Sequence, residues 1–218
     1  MEKGNLDEEW KSANHVQSYL SKADEIHHRV EEGEKTLLDQ IPTDARRILD
    51  LGTGDGRLLA MIEQARPTAE GVALDFSKAM LKSARKRFAN DKLVRVVEHD
   101  LNEPLPSEIG RFDAVVSSFA IHHLPNERKK ELYGEIFDFL NPKGVFCNLE
   151  HTASPTASLH SRFLAAIGYT TETEDRSNLL LDVETQLRWF REIGFVDVDC
   201  FWKWLELALL VGFKDKRK

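Results

Sequence analysis

The sequence predicts an α/β protein built on one doubly wound, mostly parallel sheet. Two observations carry this. From Arg46 onward, short apolar runs alternate with segments of helical period, and the turn after the first run holds three glycines in five residues. Strands separated by helices require crossover connections, and crossovers give parallel sheets covered on both faces. At 218 residues the chain is long enough for a single well-buried core.

The predicted strands are "RILDL" (47–51), "EGVALD" (70–75), "LVRVVEH" (93–99), "FDAVVSSF" (112–119) and "VFCNLEH" (145–151). Helices are expected to start near Gly56, Ser77, Asn126 and Asp182. Ser77 reads as an N-cap, with Met80, Leu81, Ala84 and Phe88 forming one apolar stripe behind it. "NPKG" (141–144) is turn chemistry, in which Pro142 presets φ and Gly144 frees the exit into the fifth strand. "FVDVDCFWKW" and "LELALLVGF" follow each other too closely for a crossover, so they predict an antiparallel hairpin at the sheet edge. The first 44 residues read as helix, with Val16, Leu20, Ala23, Ile26, Val30 and Leu37 at three-to-four spacing and a capping-box pattern, "SKAD", at 21–24. These helices are expected to cap the open top of the sheet.

Composition narrows the partners. Thirty Lys and Arg stand against 37 Asp and Glu, a net charge of −7. A phosphate-neutralising protein usually shows a basic surface, so no nucleic-acid partner is expected. The N-terminus is acidic and polar, and no apolar run approaches the roughly 20 residues that span a bilayer. Cys147 and Cys200 lie in apolar stretches without CxxC spacing, which reads as two buried free thiols in a reducing cytosol. The expectation is a cytoplasmic protein with no membrane partner and no metal, monomeric or homodimeric.

In an open parallel sheet, ligands bind beyond the carboxyl ends of the strands, where the winding reverses. That rim would hold Asp50–Gly56, Asp75–Ser77, His99–Asn102, Ser117–His123 and Glu150–Thr152. Glycine density in "GTGDG" implies a sharp bend or a close approach. The spacing is GxGxG, with Arg57 where a dinucleotide fingerprint has its third glycine, and no GKS or GKT follows. Asp50 and Asp55 would repel a pyrophosphate but tolerate a ligand with an ammonium and a sulfonium. Asp75 ends the second strand 19 residues after Gly56, the distance at which an acid reaches a ribose. Asp100 could accept from an exocyclic amine while the N–H of Leu101 meets a ring nitrogen. Phe76 and Met80 are placed to sandwich the ring, or Met80 is simply core.

Five segments, "ILDLGTGDGRL", "ALDFSKAML", "EHDLNEPLP", "FDAVVSSFAIHHL" and "FLNPKGVFCNLEH", resemble the class I S-adenosylmethionine (SAM) dependent methyltransferases in order and spacing, over about 46–151. The resemblance implies a Rossmann-like, seven-stranded, mostly parallel sheet with an antiparallel C-terminal hairpin. It also implies one domain: a helical cap (1–44), a SAM-binding core (45–151), an acceptor-site insert (152–181), and a last helix with the edge hairpin (182–213). Within it Asp50, Gly52, Thr53 and Gly54 would lie beside the methionine part, and Asp75 would hold the ribose. Asp100, Leu101 and Asn102 would read the adenine, and the carbonyl of Ser118 or its neighbour Phe119 would take the ammonium. Tyr19 of the cap would close over SAM, and Arg29 would pair a carboxylate of cofactor or substrate.

For catalysis, any acidic proton on the acceptor needs a base, and His has a suitable reference pKa. His123 in "AIHHLP" occupies the place of a catalytic His in phosphoethanolamine methyltransferases; in many relatives the same element only starts a helix. His151, at the end of the fifth strand, is a second candidate, and the Tyr19 hydroxyl a third. His122 is expected to turn into packing or solvent. Phe163, Tyr169, Trp189 or Trp202 would line an apolar acceptor pocket. The expected activity is methyl transfer from SAM, released as S-adenosylhomocysteine, to a small-molecule acceptor, at O or N first and at C as the further option. A SAM-modifying enzyme of the carboxy-SAM synthase type and a non-catalytic SAM-binding regulator are the alternatives.

Overall fold

The computed structural model describes residues 30–215. The expectations for Tyr19, Arg29 and the "SKAD" cap lie outside the described residues. Helix α1 occupies residues 30–40. There follow β1 (Arg47–Leu51), α2 (Arg57–Ala65), β2 (Glu70–Asp75), α3 (Lys78–Arg87), β3 (Val94–Glu98), β4 (Phe112–Ser118), α4 (Asn126–Phe139) and β5 (Leu140–His151). The chain then forms α5 (Ala157–Ala166), α6 (Val183–Ile193), β6 (Val196–Trp204) and β7 (Leu207–Phe213). One seven-stranded sheet results, in the order β3-β2-β1-β4-β5-β7-β6. Its first five strands pair in parallel, and β7 pairs antiparallel with both β5 and β6.

Burial follows the alternation of each strand. Ile48, Ala73, Ala114, Val116, Cys147 and Leu209 face the layer of α1 and α2, packed with Leu37, Ile41, Leu59 and Ile62. Leu49, Leu51, Leu74, Val115, Phe146 and Leu210 face α4 and α6, packed with Leu132, Tyr133, Ile136 and Phe190. Each Val, Leu, Ile or Phe among them contributes roughly 1.5–3 kcal/mol by leaving water. The helices start where side chains satisfy orphan N–H groups: Ser77 caps α3, Thr156 caps α5 and Asp182 caps α6.

Three local expectations need correction. "NPKG" lies inside β5, whose pairing jumps from Phe112–Leu140 to Ala114–Val145. There Lys143, not Gly144, takes the positive φ of 70°. Gly144 is needed for space, since a Cβ on it would lie 2.9 Å from the Asn141 carbonyl. Cys147 is buried as expected, but Cys200 is only half-buried on edge strand β6, its thiol donating to the Trp202 carbonyl at 3.2 Å. Trp189 and Trp202 do not gather at the insert. Trp189 lies under the Lys130 amine, and Trp202 packs so closely on α1 that a Cβ on Gly33 would come within 2.8 Å of its ring.

Candidate active site

The carboxyl end of the sheet is crossed first by residues 52–56, over the switch point where β1 has β2 on one side and β4 on the other. Gly52, Gly54 and Gly56 all have positive φ, of 66°, 58° and 84°. L-residues pay for that conformation, which explains the residue type. What comes close differs at each. A Cβ on Gly52 would lie 2.2 Å from the Ala120 methyl, and one on Gly56 2.4 Å from the Phe88 ring. At Gly54 the space is open, the nearest atom being Met80 Sδ at 3.9 Å. Two of the glycines are therefore required by the protein's own packing, and the third faces the cradle.

Buried carboxylates brace this turn. Asp50, 1 % exposed, accepts from the Thr53 hydroxyl at 2.6 Å beneath the turn. Burial pushes its pKa up to about 7, against the pull of the Thr53 hydrogen bond. Asp75, 8 % exposed, accepts from the Gly54 N–H through one oxygen and the Ser77 N–H through the other, each at 2.8 Å. The Phe76 N–H also acts on it, and since a carboxylate offers about four lone-pair sites, capacity remains for a ligand. Asp55 receives the Arg87 guanidinium, which offsets its charge. The Arg57 guanidinium reaches Glu34 and ties α1 to α2.

The neighbouring loop is held by one side chain. Asp100, half-buried, accepts from the Asn102 N–H and side-chain amide, both at 2.9 Å. Arg128 of α4 is buried, donates to the Leu101 carbonyl at 2.8 Å and the Glu103 carbonyl at 2.9 Å, and pairs with Glu135. Glu135 in turn accepts from the Leu105 N–H at 2.9 Å. Met80 is buried and Phe76 half-buried beside the turn. On the β4 side Ser118 and Phe119 are half-buried. Phe119 sits at φ 52°, a conformation that a bulky residue holds only under constraint from its surroundings.

Beyond β4 and β5 the rim is polar and closed over by the insert. Leu179 N–H donates to the His122 carbonyl at 3.0 Å, and Ala153 N–H to the Leu181 carbonyl at 3.1 Å. Lys129, buried, donates to the Leu179 carbonyl and to Asn126; burial pushes its pKa down to about 8, against the pull of Glu150. His122 turns into packing, not solvent, and its Nδ1 lies 2.6 Å from Glu150 Oε1. Burial pushes His122 well below its ordinary range and Glu150 up to about 7. The second oxygen of Glu150 is buried without a hydrogen-bond partner among the described residues. His123 Nδ1 meets the Ser177 hydroxyl at 2.9 Å; burial, with His122 alongside, pushes its pKa down to about 3.

His151 Nε2 lies 2.9 Å from Glu206 Oε2, and its ring packs on Phe163 with centroids 4.9 Å apart. His160 of α5 reaches the same carboxylate. Among the described residues no three His, Cys, Asp or Glu groups are arranged to hold a metal ion, and no helix is long and apolar enough to cross a membrane. Sequence reasoning placed His123 and His151 on this rim but missed Glu150 and Glu206 as partners and Arg128 as a clamp. The two acids had a readable signal, since each is a lone charge in an apolar strand run; Arg128 sits among charged residues and had none.

Comparison with known proteins agrees with this geometry. Residues 48–144 match a family model described as a methyltransferase domain. A demethylmenaquinone methyltransferase from Clavibacter sepedonicus is 30 % identical over 173 residues, covering 72 % of this chain and 69 % of the relative. One from Thermus thermophilus is 38 % identical over 112 residues, covering 50 % of this chain and 49 % of that protein. The fold also matches the solved structure of an O-methyltransferase family protein from Burkholderia thailandensis, with a TM-score of 0.73 at 19 % identity, covering 96 % of this chain and 62 % of that one. The chain thus spans about half to two thirds of the length of these relatives.

Proposed function

Because the chain belongs to the class I SAM-dependent methyltransferases, we propose that it transfers the methyl group of SAM to an O or N atom of a small-molecule acceptor. The observation that carries this is the pairing of an open Gly54 face with the Asp75 carboxylate, braced by backbone N–H groups yet with lone pairs to spare. Bound there, SAM supplies an electrophilic methyl on a sulfonium. Gly54 leaves room for the amino-acid tail, and Asp75 accepts from the ribose hydroxyls. Asp100 and the Leu101 N–H read the adenine edge between Phe76 and Met80, and the carbonyl at Ser118 or Phe119 takes the ammonium. Asp50 and Thr53 act from beneath, by holding the turn.

The protein's remaining task is to orient the acceptor and exclude water, and orientation alone can contribute roughly 7–11 kcal/mol. The insert, pinned over the ends of β4 and β5, serves that role. Two relatives are named for demethylmenaquinone; that quinone receives its methyl at a ring carbon, so offering it beside simple phenols and amines also tests carbon against O and N as the receiving atom. The acidic net charge supports a small molecule over nucleic acid. Calorimetry with SAM followed by mass spectrometry of the offered acceptors tests the reading. The expected result is saturable SAM binding, weakened about a hundredfold in Asp75→Ala; a bond to a charged group contributes ~1.5–3 kcal/mol. Wild-type protein without affinity for SAM would sink the reading, and binding without transfer to any acceptor would point to a regulator.

A further inference from the structure

Glu206 is the point on which the histidines of the acceptor side converge. It stands in the two-residue connection between β6 and β7, 1 % exposed. Its Oε2 lies 2.9 Å from His151 Nε2, and its Oε1 lies 3.0 Å from His160 Nδ1. The other nitrogen of His160 lies 2.9 Å from Glu174 Oε2. Ionised carboxylates only accept, so each ring nitrogen facing one carries its proton. His160, with both nitrogens so placed, is an imidazolium. His151 donates from Nε2, and among the described residues its Nδ1 has no hydrogen-bond partner.

Resting on the methyltransferase reading above, we propose that Glu206 is a positioning residue. It holds His151 in the Nε2–H tautomer, so that Nδ1 takes the proton of an O–H or N–H acceptor. In that step the X–H bond breaks, its electron pair stays on X, and the proton forms the Nδ1–H bond. The new imidazolium faces Glu206. Glu206 and Glu174 carry two negative charges against one on His160, which leaves one to balance the charge arriving on His151. Among the described residues, the groups around His151 also include the His122 ring, with centroids 5.7 Å apart, the neighbouring Glu150, which accepts the His151 backbone N–H, and the apolar Phe163. His122 and His123 fit the role less well, since Glu150 takes one and Ser177 holds the other.

Nitrogen-15 NMR of the histidine rings in the full chain tests this, with His151→Gln assigning the signal. In neutral wild-type rings the expected signal is Nε2 protonated and Nδ1 bare. Glu206→Ala is expected to populate both tautomers, and Glu206→Gln, whose side-chain carbonyl still accepts an N–H, to restore the preference. A wild-type Nδ1–H tautomer, or a preference unmoved by Glu206→Ala, overturns the proposal; should Glu206→Ala not fold, the wild-type spectrum decides alone. Calorimetry on the same samples separates the two readings. Glu206→Gln is expected to bind SAM within twofold of wild type, whereas wild type that binds none overturns the methyltransferase reading and leaves the ring spectrum to report on the dyad.

Discussion

Along the rim of the sheet, the half above β1 and β2 is organised by backbone, and the half above β4 and β5 by side chains from distant parts of the chain. In the first, carboxylates at strand ends receive N–H groups two to 21 residues away, as Asp75 does from Ser77 and Gly54. In the second, partners lie 28 to 55 residues apart: His122 with Glu150, His123 with Ser177, His151 with Glu206. A local backbone device keeps its shape whatever acceptor is used. A side-chain network assembled from an insert and a hairpin can change without disturbing the backbone-built half, and on the proposed reading that is where acceptor choice varies.

Arg128 would break this division most sharply, because it is a distant side chain serving the backbone-built half. Arg128→Gln leaves Glu135 without its cation and frees the 101–105 loop. It is expected to cost about 3 kcal/mol of stability, measured as a lower urea midpoint, together with weaker SAM binding. An unchanged midpoint and unchanged affinity would show the clamp to be idle.

The glycines offer a finer test. Gly52→Ala drives a methyl into Ala120 and adds left-handed strain, for a combined loss of about 3 kcal/mol, whereas Gly54→Ala meets open space and pays only the strain, about 1–2 kcal/mol. Thermal denaturation should rank them in that order, while calorimetry should show the larger SAM effect at Gly54. Equal stability losses would contradict the open-face assignment.

Asp50 makes the backbone half sensitive to pH. Its pKa rises from 3.8 unfolded to about 7 folded, chiefly by burial. The folded chain therefore holds this proton more tightly. Stability from the neutral acid is fully present below 3.8 and is lost as pH rises through about 7. Asp50→Asn, which keeps an acceptor for Thr53, should gain on wild type by about 4 kcal/mol between pH 4 and pH 8. Paired melting curves across that range check the slope, and a constant difference would remove the buried acid as its cause.

On the other half, the smallest change should have the most selective effect. Ser177→Ala deletes the hydroxyl's bonds to His123 and to Asp175, a loss of about 1 kcal/mol for each. SAM affinity should stay within twofold, with any change confined to acceptor turnover. A large fall in SAM affinity would mean that the two halves are coupled.

Both halves were unequally legible in the sequence. The strands, the caps at Ser77 and Asp182, and the edge hairpin follow from periodicity and side chains that bond their own neighbours. "NPKG" misled because proline and glycine normally end an element, yet pairing of β5 with β4 and β7 carries the strand through the bulge. Trp189 and Trp202 misled because an aromatic residue fits a ligand wall and a helix contact equally well by composition.

The chain by itself determined the fold class, the glycine corner and the acid at 75, since each depends on φ preferences, apolar period and contacts within a few residues. Only the tertiary structure decided which glycine faces open space, which carboxyls are pushed toward neutrality, and which histidines meet Glu206. Those properties arise from burial and from groups brought together across long stretches of chain, and neither distance nor desolvation is encoded in any one segment.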